Sequence, residues 1–316
     1  MADLREMEKE IFMNLYPTKY LISTVLAVFI YSTGSLLAES KVINTDAKRT
    51  VITNIGLKTP ESIEYYAAED VYLVSNINGS AVVAEGNGFI SKIKPDGSVI
   101  KLKWIDGTKA GIQLNSPKGI AIQGSNLYVA DINQVHIFGL PSGRQKKSIT
   151  IKGSTFLNGI TPGTGDFVYV TDSGLGKGAN TPPSTNGIYK VKANGTYSII
   201  VEAGDMGRPN GIIASGKELT VVTFGSGEVY RIDANGKQHT MPAPPKGGLD
   251  GLLKLGDGRL LMSSWGESAL YVLNNNNSYS ILADSLGAPA DLGLDTKRQR
   301  ILIPLFKQNK LVFLQL

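Results

Sequence analysis

A phrase repeated six times along the chain dictates its architecture before any single residue is considered. The copies are Pro60-Glu61-Ser62, Pro117-Lys118-Gly119, Leu157-Asn158-Gly159, Pro209-Asn210-Gly211, Leu249-Asp250-Gly251 and Pro289-Ala290-Asp291. Their central residues are separated by 57, 40, 52, 40 and 40 positions, the period of a propeller blade with two insertions. Each copy opens the same succession of short strands. In the second, Gly119 to Ile122 is apolar and Asn126 to Asp131 reads Asn-Leu-Tyr-Val-Ala-Asp. Val135 to Leu140 and Lys147 to Ile151 follow as third and fourth strands, turned by Pro141-Ser142-Gly143.

The remaining copies predict second strands at Val71 to Ser75, Phe167 to Thr171, Leu219 to Thr223, Leu260 to Ser264 and Ile301 to Leu305. Turn signals at Pro95-Asp96-Gly97, Ala193-Asn194-Gly195 and Asp233-Ala234-Asn235-Gly236 separate third strands from fourth. The last copy has room for only three strands before the chain ends at Leu316. An extra strand at Val51 to Leu57 is expected to complete it, because an unclosed ring would leave sheet edges unpaired. The expectation is an all-β fold: a six-bladed β-propeller with four-stranded blades, closed by an N-terminal strand. No inter-strand segment offers the ten to fifteen helical positions that a parallel α/β crossover needs.

Composition excludes several chemistries. With no cysteine, disulfides, thiolate metal sites, a cysteine nucleophile and a lipidated cysteine are all ruled out. The formal charge of +5 comes from scattered Lys and Arg, the nearest cluster being Arg144, Lys146 and Lys147, so no nucleic-acid partner is expected.

Residues 1–38 read as a signal peptide or an N-terminal anchor, with 39–50 as a linker and 51–316 as the propeller. Leu21 to Tyr31 is an apolar stretch too short for a comfortable bilayer span, and Leu37-Ala38-Glu39 offers a cleavage point. The long mixed-charge segment before it suits translation from Met13 better than from Met1. This implies a periplasmic or secreted protein with no stable membrane span once the signal is cleaved.

In a propeller the first strand of each blade lines the central channel, so the residue opening that strand is displayed at one mouth. The six openers are Glu61, Lys118, Asn158, Asn210, Asp250 and Ala290. Taken singly, an Asn before Gly is a turn residue and an acid at a strand start is a solvated cap. Oxygen donors at equivalent points of four blades instead describe a hard, oxygen-only metal site at Glu61, Asn158, Asn210 and Asp250. Such a site suits calcium above zinc, manganese or magnesium. Without a cation its two carboxylates would repel each other.

The phrases around those four residues, with Asp250-Gly251-Leu252, Asp257-Gly258-Arg259-Leu260 and Ser264-Trp265-Gly266, resemble the gluconolactonase, regucalcin and senescence-marker-protein family over residues 51–316. The Glu, Asn, Asn, Asp set is also similar to the catalytic calcium ligands of diisopropylfluorophosphatase and the paraoxonases. The resemblance implies a calcium-dependent hydrolase of lactones or phosphoesters, in which Asp250 is the catalytic base or nucleophile and Glu61 only binds metal. Pro117-Lys118-Gly119-Ile120-Ala121 and Tyr128-Val129-Ala130-Asp131 resemble an NHL repeat, which implies the alternative of a non-catalytic propeller that binds a small ligand or protein partner.

Two departures separate the chain from those relatives. Phe156 and Leu157 stand where the gluconolactonase-like branch has an arginine, and the only histidines, His136 and His239, fall in outer strands and read as structural. Lys118 is expected either to hold an anionic substrate group or to neutralise Glu61 or Asp250. Trp265 is expected to stack on a ring substrate such as a lactone. The Gly-rich stretch Gly174 to Asn186 reads as a lid, and Asn76 to Gly88 as the opposite rim.

Overall fold

The computed structural model describes residues 41–46, 48–175, 186–201, 204 and 206–316. They form six sheets and, among the described residues, no helix. The molecule is a six-bladed β-propeller. The proposed signal or anchor at 1–38 lies outside the described residues, as do positions 176–185 of the expected lid. No described helix is long and apolar enough to cross a membrane.

Innermost strands are Pro60–Tyr66, Pro117–Gln123, Leu157–Pro162, Pro209–Ser215, Leu249–Lys254 and Gly293–Asp295. Each leads an antiparallel meander running outward from the axis. Both faces of a blade pack against neighbours, so middle strands are buried on both sides rather than alternating. Val71–Asn76 and Ala269–Leu273 are buried at every position, whereas the outermost strands Tyr197–Val201 and Tyr279–Ala283 are largely exposed. The core is divided among the blade junctions. Ile120, Val129 and Phe138 of blade two meet Leu73 and Ile90 of blade one, and Ile303 and Val312 of blade six meet Leu261 and Leu270 of blade five.

The ring closes as expected, with a shift in boundaries. Arg49–Thr53 pairs antiparallel with Lys310–Gln315, placing Ile52 opposite Leu311. The sequence places the closing strand at Val51 to Leu57, but Asn54 adopts a left-handed backbone (φ 58°) that turns the chain out of the sheet. Ile55 and Leu57 stay buried against the same junction without belonging to the strand. The segment 39–50 is not simply a linker: Lys41–Asp46 pairs with Arg49–Thr53 as a fifth, outermost strand of the last blade.

Candidate metal site at the channel mouth

Five of the six inner strands carry a register shift at the same place, between Pro60 and Ile63, Pro117 and Ile120, Leu157 and Ile160, Pro209 and Ile212, and Leu249 and Leu252. The openers Glu61, Lys118, Asn158, Asn210 and Asp250 sit inside these bulges. An unpaired residue in a bulge has its side chain re-aimed away from the ladder, which accounts for a polar group at the start of a buried strand. The backbone entering four of the strands is also left-handed two residues before the opener, at Thr59 (φ 51°), Arg208 (φ 61°), Gly248 (φ 64°) and Ala288 (φ 52°). Three of these are not glycine, a strained choice that clusters at functional positions.

The glycine that follows an opener is not a turn residue. A Cβ on Gly119, Gly159, Gly211 or Gly251 would lie within 3.0 Å of backbone in the next blade, against Asn158, Asn210, Asp250 and Ala290 respectively. The inner strands therefore approach backbone to backbone, and only glycine permits it. Hydroxyls on the second strands tie the bulges together. Thr171 Oγ1 accepts from Gly159 N at 3.0 Å and donates to Asn210 O at 2.8 Å; Ser263 Oγ accepts from Gly251 N at 2.7 Å and donates to Ala290 O at 2.9 Å.

Glu61, Asn158, Asn210 and Asp250 are each no more than 4% exposed. Asn210 Nδ2 donates to Asp250 Oδ1 at 3.0 Å, and Asn158 Nδ2 donates to Ser173 Oγ at 3.1 Å. Asn158 Oδ1 and Glu61 Oε2 are buried and accept nothing. Buried acceptors without a donor cost about 1–3 kcal/mol each and call for a partner. Two such oxygens beside a second carboxylate fit a hard cation of the calcium type. Among the described residues no three His, Cys, Asp or Glu side chains are placed to hold a metal by themselves, so the amide oxygens of Asn158 and Asn210 would have to share in the coordination.

Burial and mutual repulsion shape the electrostatics of the two carboxyls. Burial, then Asp250 and Asp291, push the Glu61 carboxyl well above the usual carboxylate range, with Lys118 pulling it down. Burial and Asp291 likewise raise Asp250, against the opposing pull of the Trp265 indole and the Asn210 amide. Removing like-charged groups from water favours their protonated forms, and a divalent ion would reverse this.

Lys118 is 1% exposed, with its Nζ donating to Ser116 O at 3.2 Å and lying 4.2 Å from the centre of the Phe156 ring. Burial lowers its pKa to about 8 against the pull of Asp131, Glu61 and Asp172. That placement fits the neutralising role better than a grip on substrate. Trp265 is half-buried, and its indole Nε1 is buried without a hydrogen-bond partner. Both histidines lie away from the openers. His136 bridges Asp131 (3.1 Å) and Ser148 (2.8 Å) inside blade two, and His239 pairs with Asp233 (2.8 Å) on an outermost strand. The rim loop of blade one is held by its own contacts, Asn78 Nδ2 to Asn87 O at 2.8 Å among them.

Three polar residues escaped the sequence reading. Asp291 occupies the position that is glycine in four other copies; its N–H donates to Glu61 O at 2.9 Å and its Oδ2 accepts from Ser62 Oγ at 2.7 Å. Burial raises its pKa to about 6. Ala290 is the opener by its phase in the repeat, and the departure from glycine one place later is the signal that marks Asp291. Glu64, deeper on the first inner strand, is raised to about 8 by burial and then Asp291. Asn186 is fully buried with both amide atoms unpartnered, and lies beside Ser173, the partner of Asn158, because Gly187 pairs with Asp172. The sequence marks it only as the last residue of the expected lid, Gly174 to Asn186.

No protein-family model matches the chain, and no curated protein does either. Solved structures do. A gluconolactonase from Xanthomonas campestris superposes with a TM-score of 0.66 at 17% identity, over 87% of this chain and 94% of that one. The virginiamycin B lyase of Staphylococcus aureus gives 0.59 at 16% identity, over 85% and 99%. A catalytically inactive histidine-to-alanine form of that lyase, determined with quinupristin, gives 0.57 at 16% identity, over 88% and 94%. At these identities the likeness establishes the propeller fold that the two kinds of enzyme share.

Proposed function

We propose that this protein is a metal-dependent hydrolase of the lactonase type, working at the mouth of the channel where the inner strands open. The observation that carries the proposal is the pair of buried, unpartnered oxygens, Glu61 Oε2 and Asn158 Oδ1, beside the hydrogen-bonded Asn210 and Asp250. The superposition on a gluconolactonase supports it at the level of fold, while the lack of a histidine at the openers separates this mouth from the histidine-dependent lyase.

Glu61, Asn158, Asn210 and Asp250 would hold the ion, calcium in the first instance. When bound it supplies Lewis-acid polarisation of a lactone or phosphoester oxygen. Asn210 keeps one carboxylate oxygen of Asp250 occupied, leaving the other to take a proton from water or to attack the acyl carbon itself. Lys118 offsets the charge of Glu61, and the burial of the whole set excludes bulk water from the reacting atoms. The N-terminal reading implies that this takes place in the periplasm or outside the cell.

The test is a screen of lactones and phosphotriesters with and without chelator, repeated with Asp250→Asn. Turnover lost to chelator, restored by calcium and absent in the variant supports the hydrolase. Calcium-dependent thermal stabilisation without turnover would assign the mouth to binding instead, the role that the NHL-like phrases imply.

A further inference from the structure

The mouth has two unlike halves. In blades four, five and six the residue directly after the second strand is aromatic: Phe224 follows Glu218–Thr223, Trp265 follows Leu260–Ser264 and Phe306 follows Arg300–Leu305. The equivalent residues of blades one to three are Ile77, Ile132 and Ser173. Each aromatic is fastened to the entry of its own inner strand by its backbone N–H. Phe224 donates to Arg208 O at 2.9 Å, Trp265 to Gly248 O at 2.9 Å and Phe306 to Ala288 O at 3.0 Å. The acceptors are the three left-handed residues that stand two places before Asn210, Asp250 and Ala290. The rings are thus set at the level of the openers by rigid strand ends rather than by loop tips.

They also touch one another. The Phe224 and Trp265 ring centres lie 5.2 Å apart at 85°, and those of Trp265 and Phe306 lie 5.1 Å apart at 53°. The result is a continuous arc over three adjacent blades, each ring half-buried, with Lys307 Nζ 5.2 Å from the centre of the Trp265 ring. Trp265 is near enough to Asp250 for its indole to act on that carboxyl, so the arc adjoins the opener of its own blade. The opposing half has aliphatic Ile77 and Ile132 and the small Ser173 in place of the rings, and in blade three Asn158 and Asn186 leave amide atoms unpartnered.

The geometry points to a substrate with a flat apolar ring fused or joined next to its reacting carbonyl: an aryl lactone or aryl ester, rather than a sugar lactone that presents hydroxyls on every side. Rings at edge-to-face and tilted angles complement a planar aromatic guest, which gains from ring geometry beyond the area it buries. A polyhydroxylated ring would have to leave its hydroxyls unpaired against that wall. The inference rests on the hydrolase reading for the reacting carbonyl alone, and the recognition of the ring stands without it.

The test uses two lactams that the protein is not expected to hydrolyse, 3,4-dihydroquinolin-2-one and δ-valerolactam, which differ by one fused benzene ring. The chain has two tryptophans, so Trp104→Phe, on an outer strand of blade one, leaves Trp265 as the sole indole reporter, and calorimetry on the unaltered protein checks the fluorescence. The aryl lactam is expected to bind about tenfold more tightly. Phe224→Leu combined with Phe306→Leu, which keeps an apolar filling and so the fold, should shrink that ratio below about threefold while leaving δ-valerolactam binding unaltered. Equal affinities, no binding of either lactam, or a preference that survives the double variant would each overturn the inference and reduce the arc to rings that merely pack on one another. Aryl preference without turnover of any lactone would refute the hydrolase and leave the arc standing. Turnover with equal kcat/KM for aryl and aliphatic lactones would do the reverse.

Discussion

Asn210 and Asp250, 40 residues apart on neighbouring blades, meet through a 3.0 Å hydrogen bond from the amide of one to the carboxylate of the other. The bond spans the boundary between two sheets, so it joins the ring at its mouth as well as orienting Asp250. Both residues are nearly sealed from solvent. Replacing Asn210 by Leu leaves Asp250 without that donor, which should cost about 1–3 kcal/mol in urea denaturation. Calcium affinity should fall with it. A variant of unchanged stability and unchanged calcium affinity, measured by titration calorimetry, would show the bond to be idle.

Glu64 makes stability depend on pH in the direction opposite to an ordinary surface carboxylate. Burial, then Asp291, hold its pKa at about 8 in the folded protein, against 4.5 in a free side chain. Between those limits the folded form keeps a proton that the unfolded chain has released, so unfolding loses protons and stability falls as pH rises. Chelator-treated protein should therefore melt at progressively lower temperature from pH 5 to pH 8. Glu64→Gln should flatten that slope by an amount on the order of 1–3 kcal/mol. Parallel curves for the two proteins would mean that Glu64 titrates normally.

Gly159 and Gly211 are required by the packing of one inner strand on the next. Alanine at either would bring Cβ within 3.0 Å of the neighbouring backbone, at Asn210 or Asp250. Either substitution should destabilise by about 1–3 kcal/mol. Gly256 meets nothing within 4 Å of its Cβ position, and Gly256→Ala should stay within about 0.5 kcal/mol of the parent. Similar denaturation midpoints for all three variants would contradict the close approach.

Closure of the ring predicts a core residue far from the rest of its blade in sequence. Ile52 is 1% exposed and packs with Leu311 and Phe313 at the junction of the last blade with the first. Ile52→Ala should cost about 2–5 kcal/mol. An effect near zero would mean that the N-terminal strand sits on the ring without closing it.

The six-blade plan, the strand positions and the closing strand were legible in the chain because they follow from local chemistry. Apolar runs of strand length, turn residues between them and a constant spacing are all properties of neighbouring residues. The openers could be named for the same reason: they occupy a fixed phase of the repeat. What they touch could not. The Asn210–Asp250 bond, the Ser62–Asp291 pair across 229 residues and the aromatic arc of Phe224, Trp265 and Phe306 all cross blade boundaries. The Asn-Gly pairs at Asn158 and Asn210, which taken singly read as turns, are points of strand contact, since the space beside a residue depends on a sheet that lies elsewhere in the chain. Which buried oxygens lack a donor is likewise a matter of three-dimensional placement: bulges free Glu61 and Asn158 from their ladders, and only the closed ring shows what surrounds them.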